Sequence, residues 1–253
     1  MHKRLIPVLQ LDQRKRLVKT VLFGERTYVG DPFNVIRLFN EKEVDEICLL
    51  DIDASRLGRE PDFEFIQKLA AECFMPLSYG GGIAKLADCE KLNRAGVEKF
   101  IIGTKAMDQV LVMDIANKFG SQSLNVCVDV KNEEGCYNCY CRSGTVALNL
   151  NPLDYCLDLQ RWGVGEIILQ AMHCDGLRNG FDLPLVSQIA NELTIPVIAL
   201  GGAGNIDHLA SAIQSGADAV ASGSCFTFIG RLRAVLINYP TQAIIHQLSD
   251  HSR

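Results

Sequence analysis

Leu77-Ser78-Tyr79-Gly80-Gly81-Gly82-Ile83 ends a short apolar run that follows Pro76, and Ile198-Ala199-Leu200-Gly201-Gly202-Ala203-Gly204 follows Pro196 in the same manner. Counted from Gly80 to Gly201, the two stretches lie 121 residues apart (201 − 80). Glycine lets the backbone turn sharply and approach a ligand closely. Where a strand ends against a helix N-terminus, the exposed N–H groups form an anion seat. One such run is weak evidence; two at matching places in two halves of one chain are much stronger.

Working outward, apolar runs alternate with segments of helical period. Residues 5–9 read as strand 1. A charge-rich loop then runs to Gly30-Asp31-Pro32, where Asp31 is placed to cap a helix over 33–43 with Pro32 in its first turn. Strand 2 is expected at 46–51, a helix at 62–73, strand 3 at 76–79, a helix at 85–95, strand 4 at 99–103 and a helix at 110–119. The pattern restarts with strand 5 at 124–129, a β-hairpin insert at 135–145 and a helix at 152–162. Strand 6 (166–171), a helix (183–193), strand 7 (196–200), a helix (206–215) and strand 8 (217–222) follow, and the tail from Arg231 to about Leu248 is the last helix. Eight β/α units in 253 residues predict an α/β fold of the (βα)8 TIM-barrel type, one barrel over 1–253. Gly96 answers Gly216 and Glu46 answers Glu166, each 120 residues apart (216 − 96, 166 − 46), so the barrel reads as two duplicated half-barrels.

Composition narrows the function. The formal net charge is −5, which argues against nucleic acid as the main partner. There is no run of about 18 apolar residues for a membrane span, and the N-terminal apolar stretch is too short for a signal h-region, so a cytoplasmic location is expected. Ten cysteines at irregular spacing are expected to be mostly free thiols. In a barrel of this kind the active site lies at the C-terminal ends of the strands. Gly81, Gly82, Gly103 and Thr104 fall there in the first half, and Gly202, Gly223 and Ser224 in the second. Backbone N–H groups and one hydroxyl per pair predict a phosphate seat on each side of the rim, hence a long substrate phosphorylated at both ends. The plainer reading is that these glycines only make tight βα turns.

Arg4-Leu5-Ile6-Pro7, Gly30-Asp31-Pro32, Leu50-Asp51-Ile52-Asp53-Ala54-Ser55, Tyr79-Gly80-Gly81-Gly82-Ile83, Val128-Asp129-Val130-Lys131, Asp175-Gly176 and Gly201-Gly202-Ala203-Gly204 resemble the cyclase subunit of imidazole glycerol phosphate synthase, over nearly the whole chain. The resemblance implies a subunit paired with a glutaminase as a heterodimer. It receives ammonia through the barrel to split and cyclise a doubly phosphorylated nucleotide precursor, with no cofactor or metal. It also places Asp175 and Gly176 in the second phosphate site, makes Lys19 a substrate contact, and implies two catalytic aspartates at the ends of strands 1 and 5. Asp129 matches the second. The first position holds Gln10, whose amide cannot exchange a proton near neutral pH. Asp12 is two residues further on, and Gly103 stands where the family has Asn. Such changes resemble a branch associated with acetamidino modification of surface sugars such as O-antigen, in which a separate amidotransferase takes the ammonia. Tyr28-Val29-Gly30-Asp31-Pro32, Cys73-Phe74-Met75-Pro76-Leu77 and residues 233–240 share that branch's look. A true cyclase of histidine biosynthesis is the alternative.

Arg4, Glu46, Lys99 and Glu166 match the family's charged ring at the barrel bottom, the ammonia gate; ordinary strand-end ion pairs are the plainer reading. Cys136, Cys139 and Cys141 read as loop thiols, because a structural zinc site usually needs four ligands and no fourth is evident. His173 is expected to line the rim, and Trp162 to pack on a helix.

Overall fold

Arg4–Leu11 (β1), Ile47–Asp51 (β2), Leu77–Gly80 (β3), Lys99–Ile102 (β4), Leu124–Glu133 (β5), Glu166–Ala171 (β6), Val197–Leu200 (β7) and Ala219–Ser222 (β8) pair in parallel, each with the next, in a computed structural model that describes residues 3–230 and 232–250. β8 returns to β1, with Arg4 opposite Ala219, so the sheet closes and leaves no edge. Helices Pro32–Glu41 (α1), Phe63–Ala71 (α2), Leu86–Arg94 (α3), Gln109–Phe119 (α4), Pro152–Arg161 (α5), Leu183–Glu192 (α6), Ile206–Gln214 (α7) and Gln242–Asp250 (α8) alternate with the strands. This is the expected (βα)8 barrel.

Local sequence sets most helix starts. The side chains of Asp31, Asp62, Asp108, Asn151, Asp182 and Asn205 each accept from a backbone N–H in the first turn of the helix they precede. Pro follows within two positions in α1, α5 and α6, where its missing N–H costs nothing. The half-barrel repeat is visible in these starts. α5, α6 and α7 begin 120 residues after α1, α2 and α3 (152 − 32, 183 − 63, 206 − 86). The glycines obey the same offset, and this corrects the pairing of Gly80 with Gly201. Gly81 and Gly82 have φ of 120° and 74°, Gly201 and Gly202 have 98° and 107°, and Gly80 belongs to β3. The structural repeat therefore pairs Gly81 with Gly201.

Alternation along each strand divides the core in two. Leu5, Leu9, Leu49, Val126, Val128 and Val220 face the helices in one large cluster. Ile6, Val8, Cys48, Ile101, Ile168, Ile198 and Ala221 fill the barrel interior. Filling the barrel with side chains makes it a packed core and fixes how the strand ends stand relative to one another.

Four regions differ from expectation. The loop after β1 contains an antiparallel hairpin, Leu17–Thr20 with Arg26–Gly30, that extends β1. A short helix, Ala54–Leu57, follows β2. The last helix starts at Gln242, because the residue before a proline avoids helical φ/ψ and Tyr239-Pro240 interrupts any longer helix. Phe228–Ile229 instead pairs antiparallel with Ala234–Val235, and Arg231, the expected helix start, lies outside the described residues. The insert after strand 5 is antiparallel β structure, but not a hairpin confined to 135–145: β5 itself runs on to Glu133 and pairs with Cys136–Cys141, which turns again at 142–145 to pair with Val146–Ala147. No helix among the described residues is long and apolar enough to cross a membrane.

Candidate active site

Four charged side chains close the N-terminal end of the barrel. Arg4 reaches Glu46 at 2.7 Å and Glu166 at 2.5 Å, and Lys99 reaches the same two carboxylates at 3.0 Å each. The result is a ring of alternating sign with each charge held on two sides. Burial alone would raise Glu166, yet Arg4 and Lys99 outweigh it and hold the carboxyl below the ordinary glutamate value. Above the ring come the apolar interior layers, and above those the mouth.

The strand ends converge on one cavity, lined by Gln10, Lys19, Asp129, Gln170, Asp175 and the rim glycines Gly81, Gly202 and Gly223 among others. Asp129, opposite Gln170 in the β5–β6 register, is half-buried there. Its surroundings take it out of bulk water, and with Asp175 nearby they push the carboxyl up to about 7, against a weaker opposing hydrogen bond from the Cys127 thiol at 3.6 Å. A carboxyl of that pKa can gain or lose a proton near neutrality.

Gln10 stands at the end of β1 and donates to the Thr20 hydroxyl at 3.5 Å, which in turn donates to Asp175 at 2.7 Å. Gln170 donates to the other Asp175 oxygen at 3.5 Å. Burial raises Asp175 despite these donors. The N–H of Asp175 donates to the Met172 carbonyl, so what Asp175 brings to the mouth is its carboxyl group. Lys19 rises from the first hairpin into the mouth and donates to the Val8 carbonyl. Burial lowers its amine to about 8, with Asp175 opposing the shift.

Asp12 does not reach this cavity. Its carboxylate accepts from the N–H groups of Arg14 and Arg16 and from the Arg16 guanidinium at 2.7 Å, which closes the turn at the hairpin's base. The hairpin is clamped from its other end by Arg26, which makes two 2.7 Å bonds to Asp53 and holds that carboxyl down at about 2. This clamp, which the sequence reading missed, positions Lys19 and Thr20. His173 likewise lies away from the mouth: it pairs with Asp182 at 2.8 Å and accepts from the Asn132 N–H.

The two expected anion seats differ. On the second side, Gly176, Gly202, Gly223 and Ser224 line the mouth with Lys19 beside them. A Cβ at Gly223 would lie 2.4 Å from the Lys19 Nζ, and one at Gly202 would lie 2.0 Å from the Gly180 carbonyl, so neither position admits a side chain without movement. On the first side, Gly81, Gly103 and Thr104 line the mouth. Gly82 instead turns away and donates to the Ser55 hydroxyl. The turn after Cys136–Cys141, closed where Cys141 pairs with Val146, covers this seat: Arg142 N–H donates to the Thr104 hydroxyl at 3.1 Å, and the Ser143 hydroxyl to the Ile52 carbonyl at 2.8 Å. Sulfate soaked into crystals is therefore expected to fill the second seat at lower concentration. The first should fill only with the turn at residues 142–144 displaced. Anions at neither seat under saturating sulfate would refute the twin-seat reading.

Of the three hairpin cysteines, Cys139 is buried, Cys141 half-buried and Cys136 exposed, all as free thiols. Trp162 caps the end of α5 and packs against the outer core.

A closed parallel barrel with a charged ring at one end and a carboxyl- and glycine-lined mouth at the other defines a (βα)8 barrel with its candidate site at the C-terminal strand ends. A family model described as histidine biosynthesis protein matches residues 4–232, and the chain belongs to that family. It is 50% identical over 242 residues (94% of this chain, 96% of the relative) to a Pseudomonas aeruginosa protein named "Putative imidazole glycerol phosphate synthase subunit hisF2". A Vibrio vulnificus protein named "Putative imidazole glycerol phosphate synthase subunit hisF3" is 42% identical over 248 residues, 95% of this chain and 94% of the relative. The imidazole glycerol phosphate synthase subunit HisF of Nocardioides sp. is 37% identical over 239 residues, 91% of this chain and 92% of the relative.

Proposed function

We propose that the chain is the synthase, cyclase-like subunit of a glutamine amidotransferase: it takes ammonia from a glutaminase partner at the ring and delivers it to the mouth for amidination of a surface sugar. The observation that carries this reading is the pairing of a closed ring below with an incomplete acid–base pair above. Asp129 faces a mouth whose opposite strand end offers Gln10, and Asp12 is committed to its turn. A cyclase needs a proton donor and a proton acceptor on two sides of its substrate. An ammonia-delivering scaffold needs only the conduit and a docking face.

The partner docks, in this reading, where the ring opens to solvent. Ammonia is small and uncharged, and it passes when one ion pair of the ring swings aside. Arg4 and Lys99 both remain paired when Glu46 and Glu166 share them, so the ring opens at modest cost. The glycine-lined seats hold a phosphorylated small molecule at the rim, and a separate amidotransferase takes up the ammonia there. A cytoplasmic location fits this chemistry.

The observation that favours the second reading, a true cyclase of histidine biosynthesis, is the Asp129 carboxyl poised at about 7, with Asp175 as a further carboxyl in the same mouth.

The test of the partnership is co-purification with a glutaminase subunit from the same source. Barrel binding is expected to raise glutaminase turnover, and Glu98→Lys with Lys99→Glu, at the start of β4 where Glu98 is exposed, should weaken the pairing at least about tenfold, since the charge pattern offered to the partner is then reversed. Undiminished binding by that variant would place the interface elsewhere. Glu166→Gln makes a milder prediction. With one anion gone, Arg4 and Lys99 share Glu46 alone, and stability should drop by about 1–3 kcal/mol, read by denaturant titration.

A further inference from the structure

Asn125 is wholly buried on β5, and neither its amide nitrogen nor its amide oxygen has a hydrogen-bond partner among the described residues. Such an amide is costly unless something small answers both atoms. Its position shows what that is. Cys127 and Asp129 line the mouth, so Asn125, two and four residues earlier on the same strand, faces the barrel interior. It lies opposite Glu166 of the ring in the β5–β6 register and opposite Ile101 in the β4–β5 register. It therefore stands one step above the charged ring. Ser78, opposite Lys99, occupies the equivalent place on β3, and its hydroxyl donates to the Ile47 carbonyl, leaving its oxygen able to accept. Ile6 and Ile198 belong to the interior cluster on the other side, and Cys48, Ile101, Ile168 and Ala221 follow above. The interior is thus apolar except at this one step.

We infer that Asn125, with Ser78, forms a binding site for uncharged ammonia inside the barrel, between the ring and the mouth; this rests on the ammonia-delivery reading. Ammonia offers one lone pair and three N–H donors. It can accept from the Asn125 amide nitrogen while donating to the Asn125 oxygen and to the Ser78 hydroxyl oxygen. Ammonium has no lone pair, so it would leave the amide N–H unanswered and would bring a full charge into an apolar interior. The step therefore selects the neutral form after the charged ring, and the apolar layers above keep it neutral until it reaches Asp129.

The experiment is side-chain amide NMR on the full-length chain labelled with nitrogen-15, with Asn125→Val used to assign the Asn125 amide pair. Ammonium chloride is added at pH 9, where free ammonia is abundant, and at pH 6, where it is scarce, with sodium chloride as control at each pH. A saturable shift of the Asn125 amide at pH 9, at least about tenfold weaker at pH 6 for the same total salt and reduced several-fold in Ser78→Ala, is the expected result. An unmoved amide at both pH values, or an equal response to sodium chloride, overturns the site and means that water or nothing occupies it. That outcome leaves glutaminase pairing to stand or fall on co-purification, so the two failures are distinguishable.

Discussion

Gln10→Asp is expected to raise ammonium-driven turnover of the doubly phosphorylated nucleotide by about 10²- to 10⁴-fold over the wild type, the usual contribution of a positioned acid–base group. That corresponds to roughly 3–5 kcal/mol of barrier at about 1.36 kcal/mol per tenfold. The substitution restores a titratable group at the end of β1, where the mouth holds an amide hydrogen-bonded to Thr20. Asp129 alone cannot serve both sides of a substrate at once. The gain should be accompanied by some loss of stability. A carboxylate at position 10 would join Asp129 and Asp175, which are already raised by burial. No gain in Gln10→Asp, in a variant that folds and binds phosphate, would mean that the missing carboxylate is not what limits the chemistry.

Asp129→Asn is expected to stabilise the protein at pH 8 and to leave it nearly unchanged at pH 4. The folded-state carboxyl lies at about 7, above its ordinary 3.8. Between those values the folded chain keeps a proton that the unfolded chain releases. Stability from this group is therefore complete below about pH 4 and is lost as pH rises through 7. The full shift would amount to about 4 kcal/mol, and water at the mouth reduces it to about 2–3 kcal/mol. The neutral amide escapes that penalty while filling the same space. Thermal melts of wild type and variant across pH 4–8 read the effect directly. A variant less stable than wild type at pH 8 would show that Asp129 is stabilised as an anion, and its role as a neutral-pH proton carrier would fall with it.

The barrel was legible because its signals are local and repeated. Apolar runs, N-capping Asp and Asn residues and rim glycines recur at one offset, so errors at single positions cancelled. Within that frame a one-residue slip still occurred at the glycines: three consecutive glycines, 80–82, allow two alignments with Gly201-Gly202, and only backbone φ separates them. The four ring residues were expected as a set only through the resemblance; the structure brings them into mutual ion pairs at the strand starts. The hairpin after β1 was hidden because strands of four and five residues, with Arg14, Lys15, Arg16, Glu25 and Arg26 in or beside them, look like a solvated loop. What folds that segment down is a long-range clamp, Arg26 on Asp53, that no local pattern announces. Burial of Lys19 depends on that clamp, so its lowered amine was equally invisible. Asp12 carried a readable sign, since Arg16 stands four residues on, but its direction was settled only by the turn it closes.

Symmetry places the two expected phosphate seats, but the loops around them are not identical. The halves repeat in backbone, and each carries an antiparallel hairpin after its first strand, Leu17–Thr20 with Arg26–Gly30 after β1 and Cys136–Cys141 on β5; the turn at residues 142–144 lies over the first seat. Loops of that kind leave from a strand end and return to the helix that follows, so they vary between the halves without disturbing the fold. Gly82 shows the same at smaller scale: its neighbour Gly81 lines the mouth while Gly82 serves the packing of the short helix at residues 54–57.

The measurement that bears most directly on the central claim is the stoichiometry of the reconstituted pair. The barrel and its glutaminase are supplied with glutamine and the doubly phosphorylated nucleotide, and nucleotide consumed is counted against glutamine hydrolysed. An ammonia-delivering subunit without a complete acid–base pair should activate glutamine hydrolysis while consuming less than about one nucleotide per hundred glutamines, the lower end of the deficit expected from one missing catalytic group. A ratio near one, lost on Asp129→Asn, would contradict the account and restore the chain as a cyclase in its own right.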